Sequence, residues 1–216
     1  MKSIAHLGSG RGLILALLAV HFTQLGCASH SASKRNPREG IAEFRELTVA
    51  SQNAVHTALR SLERVSAQTN SCPPDIGEEF ARVVEQLQAD SVRVRARAQA
   101  MLARGDAYFE EWQEHLAQVK DPRMRQLAQQ NRPSLERSFG RIKLAAQTAG
   151  EAFRPCLADL RRLEVRLEAD PRAPGSAAAH DLIQSVRHNG QEVLRQLQLI
   201  EQELNAMDQT LTPPKN

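Results

Sequence analysis

From residue 40 to residue 211, apolar side chains recur every three to four positions, and no stretch alternates apolar with polar in the manner of a strand. A stripe of that period belongs to a helix and must be covered along its whole length. The chain is therefore expected to fold by laying a few long helices side by side. Between residues 76 and 120 one heptad series is Phe80, Leu87, Val94, Met101, Tyr108, His115, and a second is Val84, Ser91, Ala98, Gly105, Trp112, Val119. Together they form an a/d seam. The small residues Ser91, Ala98 and Gly105 are expected to let a neighbouring helix approach closely. With only 4% aromatic residues and 11 glycines in 216, a sandwich of many short strands and tight turns is excluded.

The turns divide the period into about four helices. The first spans roughly 40–69 and stops before Asn70-Ser71-Cys72-Pro73-Pro74-Asp75, whose prolines cannot continue it. The second runs over 76–120. Asp121-Pro122 then restarts the chain, since Asp caps and Pro suits the first helical position. The third runs to about 169, with Leu135, Ile142, Ala149, Cys156 and Leu163 on its seam. Pro133 and Pro155 are expected to bend or locally break it, unless Pro133 marks a new start. After Asp170–Ser176, with Ser176 as a candidate cap, the last helix carries Ile183, Val186, Gly190, Val193, Leu197, Ile200 and Leu204. Short turns make neighbours antiparallel. About the last turn, Leu163 then faces Ile183, Leu160 faces Val186, Phe153 faces Val193 and Ile142 faces Leu204. Gly190 falls opposite Cys156, where it would give the Pro155 bend room. The expected fold is all-α: an elongated antiparallel bundle of about four long helices with coiled-coil-like seams, one domain over 40–211, and a disordered tail at 212–216.

The N-terminus reads as an address. Lys2 and Arg11 precede the apolar run Leu13–Val20, which is far shorter than the roughly 20 residues that span a bilayer. Gln24-Leu25-Gly26-Cys27 resembles a bacterial lipobox, in which the chain is cut before a cysteine that is then acylated. Gly26 and Cys27 fit that pattern, while Gln24 and Leu25 depart from its usual Leu then Ala or Ser. This gives a signal peptide at 1–26, a lipidated Cys27 and a flexible tether to residue 39. The competing reading is cleavage after Ala28 to a soluble periplasmic protein. Ala28 rather than Asp after the cysteine resembles the sorting signal of outer-membrane lipoproteins. Removing 1–26 also turns a formal charge of +3 into 26 basic against 25 acidic residues, so the balance gives no reason to expect a nucleic-acid partner.

Ala103-Arg104-Gly105-Asp106-Ala107-Tyr108-Phe109-Glu110-Glu111-Trp112, followed by Asp121-Pro122 and Arg125, resembles an uncharacterised bacterial family of helical proteins, domain of unknown function 2959. Phe153-Arg154-Pro155-Cys156-Leu157 and Arg187-His188-Asn189 are similar to further segments of it, and the likeness covers roughly 90–210. The Pro-to-His separation is longer here than in the family, with the Pro171–Gly175 turn between them. Members frequently carry lipoprotein signals. The resemblance implies an elongated helical fold and brings no established activity.

Candidate sites are few. Tyr108, Phe109 and Trp112 hold three of the seven aromatics left after Phe22 is removed, and they are either core or a partner-binding hot spot. Arg93, Arg97 and Arg104 share a side and make the densest basic surface, open to an acidic polymer or lipid headgroups, or simply paired with acids such as Asp90. Glu111 and His115 stand one turn apart, but two ligands do not make a metal site, and none is expected there or elsewhere. Cys72 and Cys156 are separated by ~21 Å along the helices at 1.5 Å per residue, too far for a disulfide. Cys72 falls on what reads as an exposed tip, where it would be open to pairing between molecules. No nucleophile–base pair, phosphate loop or dinucleotide fingerprint is present. The chain is therefore expected to be no enzyme and to need no cofactor. It reads as a membrane-anchored periplasmic lipoprotein acting as a structural or protein-interaction module, with an envelope protein or a second copy of itself as partner. The alternative is a small-ligand or metal-binding bundle acting as a stress sensor, with its site near His115 or at the Pro155–Gly190 bend.

Overall fold

The computed structural model describes residues 37–211 apart from Thr69, so the expected signal peptide, the expected lipidation at Cys27, most of the expected tether and the expected tail at 212–216 lie outside the described residues. Within them the chain forms α1 (Pro37–Ser66), α2 (Pro74–Glu110), α3 (Trp112–Gln118), α4 (Pro122–Ala169), a 3₁₀ turn at Ala173–Gly175, and α5 (Ala177–Leu211). Their starts follow from their first residues. Pro74 and Pro122 occupy first-turn positions, where a missing N–H costs nothing. The Asp121 carboxylate accepts from the Arg123 N–H at 2.9 Å, and Ser176 Oγ accepts from the Ala179 N–H at 3.2 Å.

α4 packs most extensively on α5, α5 on α1, α1 on α2, and α2 on α4, so the long helices close a ring in chain order. Each of these contacts carries an ion pair: Arg104–Glu43 at 3.0 Å joins α2 to α1, Lys143–Asp106 at 2.8 Å joins α4 to α2, Arg141–Glu203 at 2.5 Å joins α4 to α5, and Arg187–Glu63 at 2.7 Å joins α5 to α1. At such exposure each pair is worth about 0–1 kcal/mol, so the pairs hold register more than they supply stability. At one end the Cys72 N–H donates to the Pro171 carbonyl at 2.7 Å, tying the α1–α2 turn to the α4–α5 turn.

The expected register holds. Leu160, Leu163, Ile183 and Val186 share one buried cluster, while Ile142, Val193 and Leu204 share the next with Phe153 packed against it. Polar contacts place Asp159 beside Ser185 and Arg141 beside Glu203, within two residues of the arithmetic.

Four expectations are corrected. α4 runs unbroken through Pro133 and Pro155. Both prolines are exposed, as are Gln129 and Glu151, whose carbonyls lose their helical donor; water can serve them without a break. The helix expected over 76–120 is instead interrupted at Glu111, which separates α2 from the seven-residue α3. Gly190 makes room not for a bend at Pro155 but for α1: a Cβ there would come within 2.9 Å of Leu59. Cys72 is not on an exposed tip; it is 5% exposed, drawn into the core by the turn-to-turn hydrogen bond beside it.

Gly105 does what its size suggested. The Phe139 ring of α4 lies directly on it, in the volume a Cβ would need. Gly105→Leu is therefore expected to destabilise the bundle by about 1–3 kcal/mol through overpacking, outweighing the ~1 kcal/mol of helix propensity gained, as read by urea unfolding.

Candidate functional site

The densest chemistry gathers where α2 gives way to α3. Tyr108, Phe109 and Trp112 meet with ring centroids 5.5–6.0 Å apart, His115 stacks on Tyr108 at 5.0 Å, and Phe139 reaches Phe109 from α4 at 5.5 Å. The i to i+4 spacing of Tyr108 and Trp112 aligns them on one face, and the interruption at Glu111 lets Trp112 turn inward. Trp112 is 3% exposed and packs with Leu116 and Leu135, while Tyr108 and Phe109 are half-buried against it. The Arg132 guanidinium stands 5.7 Å over the indole, a cation–π contact. The indole Nε1–H is buried and meets no protein acceptor. Burial pushes the Tyr108 phenol above its ordinary range. In the free protein the three aromatics are thus chiefly packing residues, with only the flanks of Tyr108 and Phe109 open to a partner.

The predicted basic surface is mostly engaged. Arg104 pairs with Glu43 and Arg93 with Asp90, leaving Arg97 exposed between them. His115 lies 3.7 Å from Glu111. Among the described residues no group of three or more His, Cys, Asp or Glu side chains could hold a metal ion.

A polar network that the heptad pattern concealed crosses α4 and α5. Asp159, 7% exposed, accepts from Ser185 Oγ at 2.6 Å and from Arg162 at 2.8 Å, and Asn189 donates to Ser185 at 3.3 Å. No nucleophile is activated there, because Ser185 donates to a carboxylate that already holds an arginine. Beside it Cys156 is pushed up to about 11 by burial and by the Asp159 charge, and burial also raises Cys72. Both are free thiols and poor nucleophiles at neutral pH.

Arginine-bound carboxylates, two of them across helices and one within α5, weaken the fold modestly in acid. Hydrogen bonds from Arg187 and Arg141 hold Glu63 and Glu203 below the usual range, and Arg195 holds Glu192 at about 2. Their folded values lie below their unfolded ones, so their stabilisation is complete above about pH 4.5 and is lost as pH falls below it through the folded values, for Glu192 down to about 2. Glu164, raised mainly by burial, runs the other way and offsets part of the loss. Thermal melts are expected to show Tm falling across that window, less steeply in Arg187→Gln.

The family model for proteins of unknown function, DUF2959, matches residues 38–211, which is every described helix. The chain belongs to that family. No curated protein and no solved structure matches it. The DUF2959 match thus joins α1 to the segments that carried the sequence resemblance, and it assigns no activity to the aromatic end, the arginines or the Asp159 network. Among the described residues no helix is long and apolar enough to cross a membrane.

Proposed function

We propose that this DUF2959 protein is a lipid-anchored protein of the bacterial envelope, held to the outer membrane through Cys27 and facing the periplasm, and that its bundle is a structural or protein-interaction module rather than an enzyme. The observation that carries the reading is Gly26-Cys27 a few residues after a short apolar run with a basic start. The bundle supports it: its axis is filled by apolar side chains from all the long helices, and α1 begins ten residues after Cys27. An acyl chain contributes about 0.8 kcal/mol per buried CH₂, and two or three chains suffice for stable anchoring. The partner is an envelope protein or a second copy of the chain.

Cys27→Ser is expected to abolish labelling by radioactive palmitate and to move the protein from the membrane to the soluble fraction. Unchanged labelling and fractionation would sink the anchor. In-cell crosslinking that traps no partner and no second copy would sink the interaction role.

A further inference from the structure

We infer that the α3–α4 turn is a second membrane contact, a basic tip that rests on anionic lipid headgroups and sets the tilt of the anchored bundle. The inference rests on the proposed anchor. Its starting point is where the tip lies. Arg38 in the first turn of α1 donates to the Leu211 carbonyl at the end of α5, and Asn131 of α4 donates to the Thr210 carbonyl at 3.0 Å. The start of α1, the end of α5 and Asn131 therefore stand at one level. α4 continues nine residues beyond that level to Pro122, about 14 Å at 1.5 Å per residue. The turn thus projects at the end where the chain enters the bundle. Ten residues from Cys27 to Pro37 reach at most ~35 Å, which keeps this end close to any surface that holds Cys27.

The chemistry of the tip suits that surface. Lys120, Arg123 and Arg125 are exposed there around Met124, which is 43% exposed, with Asp121 the one acid of the turn. Asp121 is occupied in capping α4, and Arg125 donates to the Val119 carbonyl at 2.7 Å, which keeps its charge at the turn. Along the chain, the acid that precedes the tip is Glu114, six residues before Lys120 on α3. Each cation near an anionic surface strengthens partition roughly fivefold, so a net charge of two gives on the order of thirtyfold. That is weak for a free protein. For one already tethered at millimolar effective concentration it is enough to fix orientation.

The test uses the chain from Cys27 onward, which keeps the whole compact unit Asn36–Asn216, coupled through the Cys27 thiol to a maleimide lipid in vesicles. Cys72 and Cys156 are buried and do not compete. Coupling needs no natural acylation, so failure here is distinct from failure of the anchor. Lysine acetylation is read by mass spectrometry at Lys120, with Lys143, paired to Asp106 far along α4, as the internal reference. On phosphatidylglycerol vesicles at low salt, Lys120 is expected to slow about tenfold relative to Lys143. Phosphatidylcholine vesicles or 0.5 M salt should abolish the difference, and Arg123→Gln/Met124→Ser should reduce it. Equal protection on both lipids, no salt dependence, or full protection in the double variant would overturn the inference.

Discussion

Trp112→Ala is expected to lower the unfolding free energy by about 3–5 kcal/mol, the range for deleting a buried Trp or Phe side chain. Trp112 is 3% exposed and carries the end cluster: Leu116 and Leu135 pack on it, Tyr108 and Phe109 lie edge-on and stacked against it, and Arg132 covers its face. Trp112→Phe discriminates between lost packing and a lost polar role. It removes the Nε1–H that meets no protein acceptor, relieving a burial cost of about 1–3 kcal/mol, against a smaller ring that leaves a cavity of similar cost. The two terms nearly cancel, so Trp112→Phe is expected within about 1 kcal/mol of the parent. Urea unfolding measures both. Because this cluster closes one end of the bundle, against only the last turns of α5 through Met207 and Leu211, amide exchange in Trp112→Ala should accelerate first over 105–135. An alanine variant losing less than about 1 kcal/mol would show that the cluster is not packed in solution.

The difference between the two halves of α2 explains what the sequence could and could not disclose. Its heptad series runs unchanged from Phe80 to Trp112, and periodicity alone treats every position alike. Yet within α2 only Phe80, Val84 and Leu87 are buried, while Val94, Ala98 and Met101 are half-covered. Period reports which face a residue takes; it does not report how closely the neighbour on that face approaches. Register across α4 and α5 was legible because a short capped turn fixes it, and Leu163 and Ile183 fall in one cluster as the arithmetic required. The burial of Cys72 was not legible, because it depends on a hydrogen bond to Pro171, about a hundred residues away. Asp159 was hidden for a related reason. A carboxylate beside a seam looks solvated until a serine and an arginine from specific positions are seen to satisfy it. The tip at Lys120–Arg125 was read in sequence only as a helix restart; its projection past the ends of α1 and α5 needs the lengths of three helices together.

Phe80→Ala should cost as much as the tryptophan deletion, about 3–5 kcal/mol, but through the whole bundle rather than one end. Phe80 is wholly buried at a level where every long helix contributes a side chain with no exposure: Leu62 and Val65 from α1, Leu160 and Leu163 from α4, Val186 from α5. A void there removes contacts from all four walls at once, and no wall can collapse into it without breaking register with the ion pairs on its flanks. Arg64–Glu79 lies one residue from Phe80 along α2, and Arg187–Glu63 one residue from both Leu62 and Val186. The urea midpoint should therefore fall with an unchanged slope, the sign of lost stability without a change in the surface exposed on unfolding. Amide exchange should accelerate together in α1, α2, α4 and α5, in contrast to the local opening expected of Trp112→Ala. Phe80→Leu, which keeps most of the volume, should recover more than half of the loss. If Phe80→Ala instead frees only α2 while α4 and α5 stay protected, the ring is not one cooperative unit, and α4–α5 is the part that folds by itself.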